Sequence, residues 1–209
     1  MTPTARMKLY FSQPSPYARK VLACAHEVGL ADSLELVAMT VSPAQPNDAY
    51  AARNPLMKVP ALERADGVTL VDSVVICEYL DAMGGGKLFP RDGDARWLAL
   101  RLHALADGVL DAALLARYET MMRPAPLRWD AWLDGQYAKI DHTLDALDKD
   151  PATLEGSFDI GHLALACALG YLDFRFAQRP WRAGRDNLAR WHERIAARPS
   201  LQATRPVAT

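Results

Sequence analysis

The first third of the chain alternates short apolar runs with segments of helical periodicity. Residues 7–12 are apolar and aromatic, which predicts a buried strand. The following segment predicts an amphipathic helix, because its apolar residues share one helix face: Ala18, Val21, Leu22, Ala25 and Val28. Residues 34–37 predict a second strand. A strand, a helix and a strand in this order are typical of parallel pairing.

Residues 54–86 predict two further strands and a helix. Val59-Pro60 opens the first of these strands, since proline is tolerated at the start of a strand. Asp66-Gly67 predicts a tight turn into a strand at 68–71. Asp72-Ser73 then predicts a helix N-terminus, and the three glycines at 84–86 end that helix.

From residue 94 onward the strand signals vanish, and the apolar periodicity is helical. It predicts four helices, at residues 98–109, 129–147, 159–174 and 188–195. The sequence therefore predicts an α/β domain over residues 7–84 and an all-helical domain over residues 94–205, with the boundary within 84–93.

Composition and net charge indicate which classes of binding partner are unfavourable. The 209 residues are 50% hydrophobic and carry a formal net charge of -1, which argues against nucleic acid or an anionic membrane as the main partner. Apolar runs stay well short of the ~20 residues of a membrane span, and the N-terminus does not resemble a signal peptide. We therefore expect a cytoplasmic protein that does not enter a membrane.

Cysteine and histidine positions predict no metal site. Cys24, Cys77 and Cys167 lie far apart on apolar helical segments, which indicates buried thiols in a reducing compartment. The five histidines lack the spacing of metal ligands.

Ser15 occupies the turn between the first strand and the first helix. Pro14 and Pro16 flank it, and Pro16 suits the first helical position. We predict that Ser15 caps this helix, whose N–H groups and dipole favour an anion.

These features together resemble cytosolic glutathione S-transferases over residues 7 to about 200. The resemblance rests on the order of the Ser15-Pro16-Tyr17 turn, Val59-Pro60, Asp72-Ser73 and the helical second half. It is closest to bacterial and plant-like members with a serine before proline at the first helix. It implies a thioredoxin-like N-terminal domain, an α-helical C-terminal domain and a cis Val59-Pro60 bond. It also implies a homodimer, with contacts from the helical half and residues 66–83.

The resemblance implies glutathione as co-substrate, with no metal. Asp72 would meet the ammonium and Ser73 the carboxylate of the γ-glutamyl end. The backbone of Val59, ahead of Pro60, would meet the cysteine part, and Lys58 the glycine carboxylate. The alternatives are plain helix capping for Asp72-Ser73 and a solvated side chain for Lys58.

Ser15 is the predicted catalytic residue. Its hydroxyl and the helix dipole would favour the thiolate of glutathione over the thiol. The alternatives are that Ser15 only caps the helix, or that Ser12 supplies the hydroxyl. Serine in place of a cysteine at position 15 disfavours thiol–disulfide exchange.

A separate pocket is expected for the electrophilic second substrate. The resemblance implies that Tyr17, Tyr118 and Met121 line this pocket, with core packing as the alternative. Arg19 and Lys20 are interpreted as a solvated helix face rather than as ligand contacts.

The resemblance implies a capping box at the start of the helix at 159–174. Asp159 can still cap this helix, but His162 stands where many relatives have an acid. Phe158 and Leu163 are expected to form the accompanying apolar staple.

The predicted function is conjugation of glutathione to a small hydrophobic electrophile, in detoxification. The alternatives are a glutathione-dependent isomerase, lyase or peroxidase on the same scaffold, and a non-catalytic binding or stress-interaction protein.

Overall fold

The computed structural model describes residues 6–206, which fall into two compact units. One unit contains the chain up to Phe89 together with the residues from Gln202 onward, and the other is Pro90–Leu201. The division after Phe89 lies within the predicted boundary segment, 84–93. The domain limits predicted from the sequence remain a prediction, and residues 202–205 group here with the first unit.

A mixed sheet forms the centre of the first unit. Its strands are β1 (Met7–Phe11), β2 (Leu34–Ala38), β3 (Ala61–Glu63) and β4 (Thr69–Val71), in the spatial order β2-β1-β3-β4. β1 and β2 are parallel, whereas β3 is antiparallel to both of its neighbours. This sheet, with its helices and the helical second unit, confirms the predicted fold class.

Three helices belong to the first unit: α1 (Pro16–Glu27), α2 (Asp48–Ala51) and α3 (Ser73–Met83). α1 packs against α3, and the buried thiol of Cys24 donates to the Cys77 carbonyl over 3.6 Å. The contact with Cys77 and burial raise the pKa of the Cys24 thiol well above its usual range. All three cysteines are buried free thiols, as the sequence predicted.

The first unit ends in a loop fastened by one buried carboxylate. Asp81 is 2% exposed and accepts the N–H groups of Lys87, Leu88 and Phe89 at 2.8, 2.8 and 3.0 Å. The glycine run at 84–86 makes the turn possible, since two of its members have positive φ.

The second unit is helical throughout its described elements. It contains α4 (Gly93–Met121), α5 (Asp130–Lys149), α6 (Ile160–Arg175) and α7 (Asp186–Ala196), where the sequence predicted helices. A short helix, α8 (Pro199–Ala203), follows and includes the division between the units after Leu201. α6 is buried along most of its length and packs against both α4 and α7. A β-carbon on Gly161 would lie 2.6 Å from the Ala99 carbonyl oxygen, so α4 and α6 approach closely at that point.

Among residues 6–206, no helix combines the length and the apolar composition that crossing a bilayer requires.

Candidate glutathione site

Strand register brings three predicted site segments to one edge of the sheet. Ala61 lies opposite Tyr10 of β1 on one side and opposite Val71 of β4 on the other. The turn after β1, Val59-Pro60 before β3, and Asp72-Ser73 after β4 therefore follow one another along this edge. With strands about 4.8 Å apart, the edge from β1 to β4 spans about 10 Å.

Ser15 caps α1, as predicted. Its hydroxyl oxygen accepts the Ala18 N–H at 3.2 Å, and Pro16 is the first helical residue. The backbone N–H of Ser15 donates to the Ser12 carbonyl at 3.0 Å, which fixes the turn. Within the described residues the hydroxyl proton of Ser15 has no acceptor. The half-exposed hydroxyl can therefore donate to a ligand while its oxygen holds the helix.

The Val59-Pro60 peptide bond is cis, as the resemblance implied. The Lys58 carbonyl just before it accepts two buried donors, the Tyr50 hydroxyl at 2.9 Å and the Asn54 side-chain amide at 2.7 Å. Asn54 is 1% exposed, and its side-chain oxygen also accepts the Leu56 N–H at 3.0 Å. These bonds hold the segment that presents the Val59 backbone.

Tyr50 and Asn54 are site residues that were not predicted from the sequence. A signal for Asn54 was available, because asparagine before proline favours a turn in which the side chain bonds to the backbone two residues on. Tyr50 gave none, because its partner lies eight residues away across a loop. The side chain of Lys58 itself is exposed and forms no ion pair with any residue in 6–206.

Asp72 is the N-cap of α3 and adopts an unusual backbone conformation. Its φ is 72° and its ψ 131°, and its carboxylate accepts the Val74 N–H at 2.9 Å. A non-glycine residue at positive φ costs about 1–3 kcal/mol and is frequent at functional sites. Asp72 is exposed, whereas Ser73, the first residue of α3, is 4% exposed. The N–H of Ser73 is one of those that a helix start leaves without an intrahelical partner.

The predicted pocket residues belong to different units. Tyr17 is half-buried in the first unit, with the Lys20 ammonium 5.8 Å from its ring centre. Tyr118 and Met121 lie in the last turns of α4, and burial raises the pKa of the Tyr118 hydroxyl while Arg117 lowers it. Met121 is 63% exposed, so core packing, the alternative role considered for it, is wrong.

The solvated helix face predicted for Arg19 and Lys20 is wrong for Lys20, which is fully buried. Burial of a lysine requires partners for its ammonium inside the protein, and helical periodicity does not reveal such contacts.

In the second unit, Asp159 caps α6, as predicted, and His162 completes a capping box although it replaces the acid of relatives. The Asp159 carboxylate accepts the His162 N–H at 3.0 Å, and the His162 ring nitrogen Nδ1 lies 3.3 Å from the Asp159 backbone nitrogen. Phe158 stacks on the His162 ring, at 6.1 Å between ring centres. The staple between Phe158 and Leu163 stays a prediction.

A cavity of about 190 Å³ also lies within the second unit. It contains none of the predicted site residues, and its lining is Tyr137, Ile140, Asp141, Leu172, Phe176, Arg179, Pro180 and Trp181. Within residues 6–206, no three histidine, cysteine or carboxylate side chains are grouped so that they could hold a metal ion.

Comparison with known proteins decides the family. The family models for the glutathione S-transferase N-terminal and C-terminal domains match residues 14–83 and 130–194. The chain is 33% identical over 204 residues to YibF, an uncharacterized GST-like protein of Escherichia coli, with 96% of this chain and 98% of YibF covered. The chain belongs to the glutathione S-transferase family.

Solved structures of this family include close matches to the whole chain. A glutathione transferase family member from Pseudomonas fluorescens, solved with bound glutathione, is 46% identical, with a TM-score of 0.94 over 97% of this chain and 100% of that one. A second structure from the same organism carries S-(propanoic acid)-glutathione. It is 45% identical, with a TM-score of 0.90 over 96% of this chain and 100% of that one.

Proposed function

We propose that this glutathione S-transferase binds glutathione at the sheet edge of its first unit and conjugates it to an electrophilic carbon. We further propose that it does so in the cytoplasm, as a homodimer, in detoxification. The observation that carries the proposal is the Ser15 hydroxyl, whose oxygen is used by the helix and whose proton is available.

The sheet edge fits an extended tripeptide in length. Three extended residues span about 10 Å, which matches the distance of about 10 Å from the end of β1 to the end of β4. The solved relative from Pseudomonas fluorescens binds glutathione, and its chain is similar to this one over nearly its whole length.

The charges along the edge suit the two ends of glutathione. The exposed Asp72 carboxylate would pair with the γ-glutamyl ammonium, and the Ser73 hydroxyl and N–H would bind the adjacent carboxylate. The backbone at Val59-Pro60 would hold the cysteine part between them, and the exposed Lys58 would bind the glycine carboxylate. The thiol would then lie toward the end of β1, next to Ser15.

Ser15 would act on the thiol by stabilising its thiolate. A cysteine thiol has a pKa of about 8.5, so only a few per cent is ionised at neutral pH. A donated hydrogen bond at a helix N-terminus would lower this by about one to two pKa units, which corresponds to about 1.4–2.8 kcal/mol. The thiolate then forms a C–S bond with the electrophile, and the displaced electron pair leaves with the leaving group or is protonated from water.

The dimer is supported by apolar side chains that each unit leaves exposed. In the first unit these are Val68, Val75 and Met83, which are 49, 46 and 52% exposed. In the second unit Trp97 and Leu98 of α4 are 67 and 60% exposed. Subunit contacts typically cover exposed apolar side chains such as these.

The decisive test compares Ser15→Ala with the wild type, using an activated aryl halide as electrophile. We expect kcat/KM to fall about 10- to 100-fold and the thiol pKa of bound glutathione to rise by about one to two units. Ser12→Ala is the matched control, because Ser12 is the rival hydroxyl, and it should change neither quantity.

Two outcomes would overturn the proposal. Unchanged rates and thiol pKa in Ser15→Ala would reduce Ser15 to a helix cap. Calorimetric binding of glutathione without turnover of any electrophile would assign the chain a non-catalytic binding role.

A further inference from the structure

The C-terminal ends of α4 and α6 bring two arginines and two tyrosines together within the second unit. We refer to Arg117, Tyr118, Tyr171 and Arg175 as the arginine cluster. The helices start side by side, since Gly161 near the start of α6 meets Ala99 near the start of α4. Arg117 lies about 27 Å along α4 from Ala99 and Arg175 about 21 Å along α6 from Gly161, so two helices that run in the same direction place them about one helical turn apart along the helix axes.

The members of the cluster are close enough to influence one another electrostatically. Burial raises the pKa of the Tyr118 and Tyr171 hydroxyls, and the positive charge of Arg117 opposes that rise. Burial also lowers the pKa of the Arg175 guanidinium, and the charge of Arg117 lowers it further. Tyr171 and Arg175 are four residues apart and so share one face of α6. Tyr171 is buried, and the other three side chains are half-buried.

The two guanidinium groups lack a counter-charge. In the described part of the chain no carboxylate lies within 4 Å of either one, and Nε of Arg175 is buried without a hydrogen-bond partner. By contrast, two arginines elsewhere in the second unit each have a carboxylate partner: Arg185 pairs with Asp145 at 2.7 Å, and Arg123 pairs with Glu119 at 2.8 Å.

Two neighbouring cations without a counter-charge destabilise the folded protein, and a bound anion would relieve this. A position in the last turn of a helix explains one arginine, because cations favour the helix C-terminus. It does not explain why a second helix places another guanidinium beside it, or why a buried Nε is left without an acceptor.

The chemistry of the cluster indicates the class of ligand. A guanidinium presents donors in a planar fork that matches a carboxylate, and a tyrosine hydroxyl adds a further donor. The Arg175 guanidinium lies 3.9 Å from the centre of the Phe174 ring, and both tyrosines are aromatic neighbours. These rings suit an anion that carries an apolar or aromatic body.

We propose that Arg117 and Arg175 bind the carboxylate of an organic acid, with Tyr118 and Tyr171 as additional donors. The acid is the electrophilic second substrate, an assignment that rests on the proposed function. A non-reacting organic acid would use the same contacts, so the test separates these two sources.

The binding arm uses 4-nitrobenzoate, which does not react with glutathione, and calorimetry of the full chain. We expect the wild type to bind it and the variants Arg117→Met and Arg175→Met each to bind at least tenfold more weakly. Arg101→Met is the matched control, since Arg101 is an exposed arginine of the same helix α4. Retained helical circular dichroism and unchanged glutathione binding would show that the variants are folded.

The kinetic arm compares 4-chloro-3-nitrobenzoate with its methyl ester as electrophiles. Relative to the wild type, we expect the arginine variants to lose at least tenfold in kcat/KM for the acid and less than threefold for the ester. Equal losses for both, or no loss for either, would overturn the assignment to the substrate.

The two arms also distinguish this inference from the proposed function. Binding of 4-nitrobenzoate through the arginines without conjugation of any electrophile would leave a carboxylate site and overturn the transferase. Conjugation without such binding would leave the transferase and overturn the carboxylate site. Equally tight, arginine-dependent binding of inorganic phosphate would overturn the choice of an organic acid.

Discussion

In the part of the chain that the structure describes, four helices begin with a side-chain cap, at Ser15, Asn47, Asp72 and Asp159, and the two units differ in how the caps are completed. In the second unit, the Asp159 carboxylate accepts the backbone N–H of His162, and the His162 ring accepts the backbone N–H of Asp159. We call such a reciprocal cap closed. In the first unit, the side chains of Ser15 and Asp72 each accept one backbone N–H, but no capping box forms, so these caps are open. The residues at the third helical position explain this difference, because Ala18 and Val75 have no polar atom with which to close a cap, whereas His162 does.

The backbone shows the same contrast. Asp159 has an ordinary extended conformation, with a φ of -127°, whereas Asp72 has a φ of 72°. In a closed cap the groups at the helix start bond to each other. An open cap leaves polar groups available to a ligand, and at Asp72 it comes with backbone strain. The binding roles proposed for Ser15 and Asp72 therefore use caps that the residue three positions later leaves open.

The largest expected effect is on stability, and it tests how tightly the start of α6 packs against α4. Gly161→Ala would place a methyl group 2.6 Å from the Ala99 carbonyl oxygen and 2.8 Å from Leu102 Cβ. Overpacking costs about 1–3 kcal/mol, and we expect the upper end because a backbone atom must move. Gly135→Ala in α5 is the control, since nothing lies within 4 Å there and alanine favours helix by about 1 kcal/mol. Chemical denaturation checks both, and equal stability of the two variants would contradict the close approach.

The next prediction separates an open from a closed cap. Asp72→Asn keeps the capping oxygen and tolerates positive φ but removes the charge, so glutathione affinity should fall about tenfold with stability nearly unchanged. Asp159→Ala should lower the free energy of unfolding by about 1 kcal/mol and leave glutathione affinity unchanged. Calorimetric titration and denaturation of both variants give the four values. The reverse pattern, with binding lost in Asp159→Ala and stability lost in Asp72→Asn, would invert the comparison.

The smallest expected effect concerns Glu119 in the second unit, whose two carboxylate oxygens both accept hydrogen bonds. Glu119 accepts Arg123 Nε at 2.8 Å and the Trp129 N–H at 2.9 Å, and these two bonds hold its carboxyl pKa below the usual value. A lowered folded-state pKa gives stability that is present above the unfolded pKa of about 4.3 and lost as the pH falls through the folded value. The stability advantage of the wild type over Glu119→Gln should therefore shrink below about pH 4. Denaturation midpoints between pH 3 and pH 7 measure it, and a constant difference would refute the prediction.

Several features of the candidate site could be predicted from the sequence because they depend on neighbouring residues. The Ser15 cap, with Pro16 at the first helical position, needs only four consecutive residues. The Asp159 cap with His162 in the acid's place is equally local. Local signals failed for Lys20, since helical periodicity does not reveal the contacts that the burial of a lysine requires. They also failed for Tyr50, whose hydroxyl acts on a carbonyl eight residues away.

The sequence by itself determined the elements of this protein and their order. Periodicities of two and of about 3.6 residues, together with turn and cap residues, depend on contacts within a few positions, so they can be recognised without a structure. Only the tertiary structure decided which residues meet. The register of β1, β3 and β4 brings Ser15, Val59 and Asp72 to one edge, and the packing of α4 on α6 brings Arg117 to Arg175. These meetings join residues tens of positions apart, and they depend on the packing of whole elements, which no local pattern encodes.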